Sequence, residues 1–244
     1  MGGHTPADVD RAKRQVRQRV WELLDRAGVT RHPAGVYGKI PNFVGADAAA
    51  ERLAALPAWR SATVVKANPD KAQVPVRALA LAQGKRLYMA VPKLADERPF
   101  VLLDPDVLGI SPREAAWKTG ALAAGQKVAV DELPPVDLVV CGSVAVNRSG
   151  ARIGKGGGFS DLEVALLQDA GLLRAETVLA TTVHPLQLVD EPMPEAEHDF
   201  RVHLIVTTDE TIWCPPSRPL SGLLWERLDR ERITAIPALA ARRP

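Results

Sequence analysis

Gly150-Ala-Arg-Ile-Gly-Lys-Gly-Gly-Gly-Phe-Ser-Asp161 is the stretch on which the reading of this chain turns. It holds five glycines and two cations, Arg152 and Lys155. Ahead of it runs Val136-Asp-Leu-Val-Val-Cys141, an apolar run of the buried-strand kind. Behind it, residues 162–170 read as a helix. A strand thus enters a glycine loop and a helix leaves it. Glycine accepts φ > 0 and lets a ligand come close to the backbone. Ser160 is placed to cap the helix, and Glu163 to complete a capping box. A helix N-terminus offers unpaired N–H groups and the positive end of a dipole, which suits a phosphate. The competing reading is a glycine-rich surface turn with solvated cations, but three consecutive glycines are an entropic cost that a plain turn does not need.

The loop matches neither common phosphate motif. A P-loop has four residues between its glycine and Gly-Lys-Ser/Thr, whereas three separate Gly150 from Gly154, and Lys155 is followed by glycine. The dinucleotide fingerprint G-x-G-x-x-G is absent as well. Asp161 and Glu163 lie in the first helical turn, beside the expected phosphate. Carboxylates there repel it unless a cation stands between them, which points to Mg²⁺.

Outward from the loop, residues 8–27 are predicted as a helix with Val9, Val16, Val20, Leu23 and Leu24 as its apolar stripe, ended by Gly28. Lys13 and Arg17 are four apart and share a face; taken alone this is a solvated basic face. Residues 46–56 form a second predicted helix, closed by Pro57. Residues 63–66 read as a strand running into the polar turn Ala67-Asn-Pro-Asp-Lys-Ala-Gln73. Ligands of open α/β sheets bind outside the carboxyl ends of strands, so Asn68, Asp70, Lys71 and Gln73 are candidate substrate contacts. A plain Asn-Pro-Asp turn is the alternative. A helix over 76–83, strands over 86–91, 99–103, 127–130, 176–183, 199–207 and 211–213, a short helix capped by Ser111 and a terminal helix over 220–232 complete the prediction. Residues 1–5 are expected to be a disordered leader, and the C-terminal tail to be mobile. The alternation predicts one α/β domain over residues 1–244, with a largely parallel sheet and some antiparallel pairing near the end.

Composition narrows the function. A hydrophobic content of 46% and a charged content of 25% are ordinary for a globular protein. The net charge of +2 is too small to argue for a nucleic-acid partner. Cys141 and Cys214 both sit in apolar runs and read as buried free thiols. There is no apolar run long enough to span a bilayer and no secretory segment, so no membrane association and a cytoplasmic location are expected. His198 and His203 are five apart on a predicted strand and face opposite sides, so a zinc site is not expected.

The loop resembles that of the 5-formyltetrahydrofolate cyclo-ligase (methenyltetrahydrofolate synthetase) family. That family carries Arg-Leu-Gly-x-Gly-x-Gly-Tyr-Tyr-Asp after a strand; here the run is Arg152-Ile-Gly-Lys-Gly-Gly-Gly-Phe-Ser-Asp161. The family's opening helix bears Lys-x-x-Leu-Arg; here it is Lys13-Arg-Gln-Val-Arg17. Gln187, Pro194 and Glu197-His-Asp199 fit the family's later order, so the resemblance extends from about Lys13 to Thr207. It implies a three-layer α/β/α fold with a mostly parallel central sheet, NagB/RpiA/CoA-transferase-like, with ATP and Mg²⁺ as cofactors. It assigns Lys13, Arg17, Arg152 and Lys155 to the ATP phosphates, with Arg152 and Lys155 catalytic. Gly154, Gly156, Gly157, Gly158 and Phe159 would wrap those phosphates, and Asp161 and Asp199 would hold Mg²⁺. The implied reaction is ATP-dependent closure of 5-formyltetrahydrofolate, a small-molecule partner, to 5,10-methenyltetrahydrofolate.

The chain departs from the family at several places. Phe159-Ser160 replaces the paired tyrosines, Asn68 to Gln73 stands where the family has a Glu-x-x-Thr turn, and His203 stands where it has an aspartate. Lys39-Ile-Pro-Asn-Phe43 and Lys66-Ala-Asn-Pro-Asp-Lys71 are similar to the methenyltetrahydrofolate synthetase domain-containing branch. The departures keep other readings open: a paralogue acting on another formyl or carboxyl metabolite, a sugar-phosphate or CoA-handling enzyme, or a non-catalytic nucleotide- or RNA-binding protein. The small net charge and the lack of an RNP-like aromatic strand speak against RNA.

Overall fold

In a computed structural model the chain is described over residues 5–216 and 218–243. Of the expected leader, residues 1–4 lie outside the described ones, while Thr5 has a defined role. Its hydroxyl accepts the N–H of Asp8, and the Asp8 carboxylate accepts the N–H of Thr5 at 3.2 Å. That capping box, with Pro6 at the first position, starts α1 (Pro6–Arg26) two residues before the apolar stripe alone suggests.

The chain continues through α2 (Ala46–Ala54), α3 (Pro57–Ser61), β1 (Val64–Ala67), α4 (Val74–Ala82), β2 (Arg86–Ala90), β3 (Phe100–Leu103), α5 (Pro112–Ala115), α6 (Lys118–Ala124), β4 (Gln126–Val128) and β5 (Val136–Cys141). There follow β6 (Ala145–Asn147), β7 (Arg152–Ile153), α7 (Phe159–Asp169), β8 (Leu173–Thr182), β9 (Leu188–Val189), β10 (Leu204–Val206), β11 (Thr211–Trp213), α8 (Arg230–Ala235) and α9 (Pro237–Ala240). Pro57 opens α3 as well as closing α2, because proline's fixed φ suits a first helical position.

The main sheet has the order β11-β10-β8-β5-β1-β2-β3-β4. The strands from β10 through β2 pair in parallel, while β11 at one edge and β3 and β4 at the other are antiparallel. Alternation along the strands sorts the side chains into two cores. Val65, Ala67, Leu87, Met89, Leu138 and Val140 face helices α2 to α6. Val64, Tyr88, Ala90, Val139 and Cys141 face α7 and the C-terminal α8 and α9. The result is the expected three-layer α/β/α arrangement. A third apolar cluster joins α1, the loop around Val36 to Phe43 and a small sheet ordered β7-β6-β9.

Three expectations change. Residues 199–207 are a strand only at Leu204–Val206; upstream, Arg201 makes a single bridge to Ala151. The terminal helix over 220–232 does not form, because the Leu223 N–H is taken by Asp169 at 3.1 Å and helix initiation waits for the Asp229 cap, which accepts the Arg232 N–H at 2.6 Å. The tail after residue 232 is not loose: Ile233, Ile236, Ala238 and Leu239 are buried. Cys141 and Cys214 are free thiols, the first buried and the second half-buried. Among the described residues, no helix is long and apolar enough to cross a membrane.

Candidate functional site

β1 leads through α4 to β2 on one face of the sheet, and β5 leads through α7 to β8 on the other. Between β1 and β5 the chain therefore winds in opposite directions. Such a switch opens a crevice at the carboxyl ends of the strands. A cavity of about 360 Å³ lies there, within the range of small-molecule sites. Its walls come from Asn68 and Asp70 after β1, Val91 and Lys93 after β2, Gly142 after β5, and Arg152, Gly154, Lys155 and Gly157 to Asp161 around the glycine loop. Glu163, Ile40 and Lys118 also line it.

The loop differs in one respect from the sequence reading. Gly158, at φ +66, is the N-cap of α7, and no side chain caps the helix. Ser160 instead lies inside the first turn, where its hydroxyl accepts a hydrogen bond from the Asn68 amide. Glu163 does not close a capping box; it is buried and paired with Lys66. Leaving α7 uncapped keeps its first N–H groups and positive dipole end open to an anion.

Arg152 is buried on β7 under the loop. Its Nη1 stands 3.2 Å from Asp161 Oδ1, its Nη2 donates to the Gly142 carbonyl at 3.3 Å, and its guanidinium lies 4.6 Å from the Phe200 ring centre. Its Nε has no hydrogen-bond partner. Burial acts to lower its pKa, but Asp161, Cys141 and Asp199 more than offset this, so the group stays charged. Lys155, half-exposed, reaches Asp70 Oδ1 at 3.3 Å across the cavity mouth.

Lys13 and Arg17 stand behind this wall. The Arg17 Nε donates to the Gly154 carbonyl at 2.7 Å, and its guanidinium carbon is 3.5 Å from where a Cβ on Gly156 would sit. Burial lowers the Arg17 pKa, with Asp10, Asp199 and Asp161 opposing. Lys13 is buried and holds Asp199 at 2.5 Å. Thus Arg152 and Lys155 line the cavity, while Lys13 and Arg17 fix the loop and Asp199 from outside. The two expected metal carboxylates are likewise separated in role. Asp161, 16% exposed, lines the cavity, whereas Asp199 is taken up by Lys13 and by the Ala196 N–H at 2.6 Å. Among the described residues, no group of three or more His, Cys, Asp or Glu is arranged to hold a metal. One carboxylate beside an uncapped helix end is the kind of donor that Mg²⁺, which takes one or two protein carboxylates together with phosphate oxygens, can use.

The turn after β1 divides. Asn68 and Asp70 line the cavity. Gln73 is fully buried behind it, with Nε2 donating to Thr182 Oγ1 at 3.3 Å. Lys71 is exposed and faces a separate cleft bordered by α2, α4 and α5, so it is not placed to contact a ligand in the cavity. The turn is held from beneath by Arg77, buried on α4, which donates to the carbonyls of Asn68, Asp70 and Ala116. Burial lowers the Arg77 pKa to about 10.

Several residues escaped the sequence reading. Lys66, fully buried on β1, donates to Asn68 Oδ1 at 2.6 Å and pairs with Glu163, whose pKa is raised by burial and lowered by that lysine. A charge inside the apolar run of β1 and another on the apolar face of α7 were the available signals. Lys93 occupies the left-handed region at φ 57 beside the cavity; only the Val91-Pro92 strand ending hinted at a turn there. Nothing in the local pattern marked Lys118.

A sequence model of the 5-formyltetrahydrofolate cyclo-ligase family matches residues 9–208. The methenyltetrahydrofolate synthase domain-containing protein of Mus musculus is 36% identical over 237 residues, covering 93% of this chain and 62% of that protein. Its Homo sapiens counterpart is 33% identical over 246 residues, covering 98% of this chain and 63% of that protein. The chain thus spans 62–63% of the length of these curated relatives. Among solved structures, a 5,10-methenyltetrahydrofolate synthetase of Aquifex aeolicus superposes with a TM-score of 0.53 at 19% identity, covering 88% of this chain and 99% of that one, which establishes a shared fold.

Proposed function

The chain belongs to the 5-formyltetrahydrofolate cyclo-ligase family, and from that premise we propose that it is an ATP- and Mg²⁺-dependent ligase that activates a formyl or carboxyl oxygen by phosphorylation. The nearest substrate is 5-formyltetrahydrofolate, giving 5,10-methenyltetrahydrofolate. The observation that carries this reading is the uncapped N-terminus of α7 with the buried Arg152 beneath it and Lys155 at its mouth, all facing one cavity. The partnerless Nε of Arg152 and the glycine-built wall suit a phosphate.

In this scheme the formyl oxygen takes the terminal phosphoryl group of ATP and ADP leaves. N10 of the folate then attacks the formyl carbon and gives up its proton, and inorganic phosphate departs with the oxygen. Such chemistry asks the protein for position and charge rather than for a nucleophile. The α7 N–H groups and Arg152 would bind the phosphates, and Lys155 would release Asp70 to meet the same charge. Arg17, through the Gly154 carbonyl, would keep the loop in place. Asp161 would hold Mg²⁺, which when bound neutralises phosphate charge. The Lys13–Asp199 pair would anchor α1 behind the loop.

ADP release on mixing protein, ATP, Mg²⁺ and 5-formyltetrahydrofolate tests the reading, with methenyl product followed by absorbance. ATP that neither binds nor turns over with any formyl or carboxyl metabolite would sink it. A second reading, the same nucleotide site serving another metabolite, is favoured by one observation: Asn68, Ser160 and Glu163, which line the cavity, are tied together through the buried Lys66 behind them. Turnover with a different formyl or carboxyl compound, and none with the folate, would select it.

A further inference from the structure

The glycine loop is held by a segment outside the family match, which ends at residue 208. After β11 the chain returns across α7. The Leu223 N–H is bound by Asp169 at the far end of that helix, and Leu223 itself is buried. Arg227 then pairs with Glu197 at 3.3 Å, and Asp229 caps α8. On α8, Ile233 packs into the core, which fixes the face that Arg232 presents. The Arg232 Nη2 donates to the Gly157 carbonyl at 2.7 Å. Its guanidinium carbon lies 5.9 Å from the centre of the Phe159 ring. The same Nη2 is 2.8 Å from where a Cβ on Gly158 would stand, so the contact needs glycine there.

Gly156, Gly157 and Gly158 in succession have more conformational freedom than any other tripeptide, and ordering them on ligand binding costs entropy. A donor fixed on the Gly157 carbonyl removes much of that freedom in advance. It also sets direction. In a trans peptide the carbonyl of one residue and the N–H of the next point to opposite sides. Holding the Gly157 carbonyl toward α8 therefore turns the Gly158 N–H away from α8. Gly157 and Gly158 both line the cavity.

Building on the phosphate-site reading, we propose that Arg232 is a positioning residue for the phosphate loop: it pins the Gly157 carbonyl and lies over the Phe159 ring, so that the loop N–H groups are ordered before an anionic ligand arrives. The face of the Phe159 ring suits this because it attracts a cation within about 6 Å. Lysine's single compact ammonium cannot hold the Gly157 carbonyl and face the ring at once as the guanidinium does, so Arg232→Lys should behave more like Arg232→Ala than like the wild type.

The test uses the full chain with Arg232→Ala and Arg232→Lys, read in two ways. Hydrogen exchange without ligand should show residues 154–159 exchanging at least about tenfold faster in R232A, with residues 164–169 of α7 unchanged, a local opening rather than global unfolding. Titration of Mg·ADP should show Kd raised about tenfold in R232A, and KM should rise for ATP but not for the second substrate. Equal loop exchange in R232A and wild type overturns the inference whatever the cavity binds, and so does faster exchange spread evenly along α7. R232K matching the wild type in both readouts overturns the part played by the guanidinium's shape. If the wild type itself binds no nucleotide, the ligase reading fails, while the exchange measurement still decides the role of Arg232.

Discussion

Replacing Lys66 with methionine isolates the buried pair that joins β1 to α7 beneath the site. Lys66 is fully buried and Glu163 is 4% exposed. Besides Glu163, the lysine ammonium has one other described partner, Asn68 Oδ1 at 2.6 Å. Methionine keeps most of the stem and removes the charge, which leaves Glu163 buried and unpaired. Breaking a buried pair in this way costs about 3–5 kcal/mol. Glu163 has one escape, which is to take up a proton. Burial already pushes its pKa above the ordinary 4.5, and Lys66 is the largest influence holding it down. In K66M the folded pKa therefore rises further. Between 4.5 and that raised value the folded state binds more protons than the unfolded state, so stability falls as pH increases. The deficit of K66M against wild type should be smallest at the acid end of this window and largest well above it. Urea denaturation followed by circular dichroism from about pH 5 to pH 8 measures it. K66M/E163L removes both charges and should recover most of the loss. A K66M deficit under about 1 kcal/mol at the alkaline end, or one that does not change with pH, would refute the reasoning, because Glu163 would then not depend on Lys66.

Three further outcomes follow from the same geometry. Arg152→Ala strips the buried cation from beneath the loop and should lower kcat/KM for ADP release by about 10²–10³-fold; unchanged turnover would remove Arg152 from the phosphate site. Asp161→Asn keeps the shape of the first turn of α7 but weakens metal binding, so the Mg²⁺ concentration for half-maximal activity should rise by at least about tenfold; an unchanged Mg²⁺ titration would exclude Asp161 as the metal ligand. Burial raises the pKa of Cys141 and pushes that of Cys214 up to about 11, so iodoacetamide at about pH 8 should leave both thiols of the folded protein unmodified, and fast labelling of Cys214 would contradict its packing.

The sheet was legible because its strands are short apolar runs bounded by turn residues, and the switch between β1 and β5 follows from which helices separate them. The glycine loop was legible for a similar reason: three glycines between a strand and a helix have few structural uses. What stayed hidden were long-range satisfactions. Ser160 has the sequence position of a cap, but Asn68, far away in the chain, takes its hydroxyl. Glu163 has the position of a capping-box acid, but Lys66 draws it inward. The residues from 220 onward carry a helical leucine spacing, yet the Asp169 carboxylate binds the Leu223 N–H and delays the helix to Asp229. In each case a local preference worth about 1 kcal/mol lost to a tertiary partner that no single-sequence pattern displays. Lys13 and Arg17 show the reverse. Their shared face was visible at once, but only the fold shows that both are spent on the loop and on Asp199 rather than on the cavity.

These satisfactions also bear on how the site diverged. In the sequence, Phe159-Ser160 and the Asn68 to Gln73 turn look like two unrelated departures from the family pattern. In the structure they are one joint. The Ser160 hydroxyl accepts from the Asn68 side-chain amide, Asn68 Oδ1 accepts from Lys66, and Lys66 pairs with Glu163 one turn further along α7. Each member is buried or half-buried and satisfies the next, so removing one leaves its neighbour unpaired. Groups linked in this way do not respond additively to mutation. Ser160→Tyr alone would therefore place a large ring where Asn68 needs an acceptor, and should lower the urea midpoint relative to wild type; an unchanged midpoint would show that Asn68 finds another acceptor. Ser160, Asn68, Lys66 and Glu163 are therefore coupled by their hydrogen bonds, while Arg152, Lys155 and the uncapped helix end stand outside that chain of contacts.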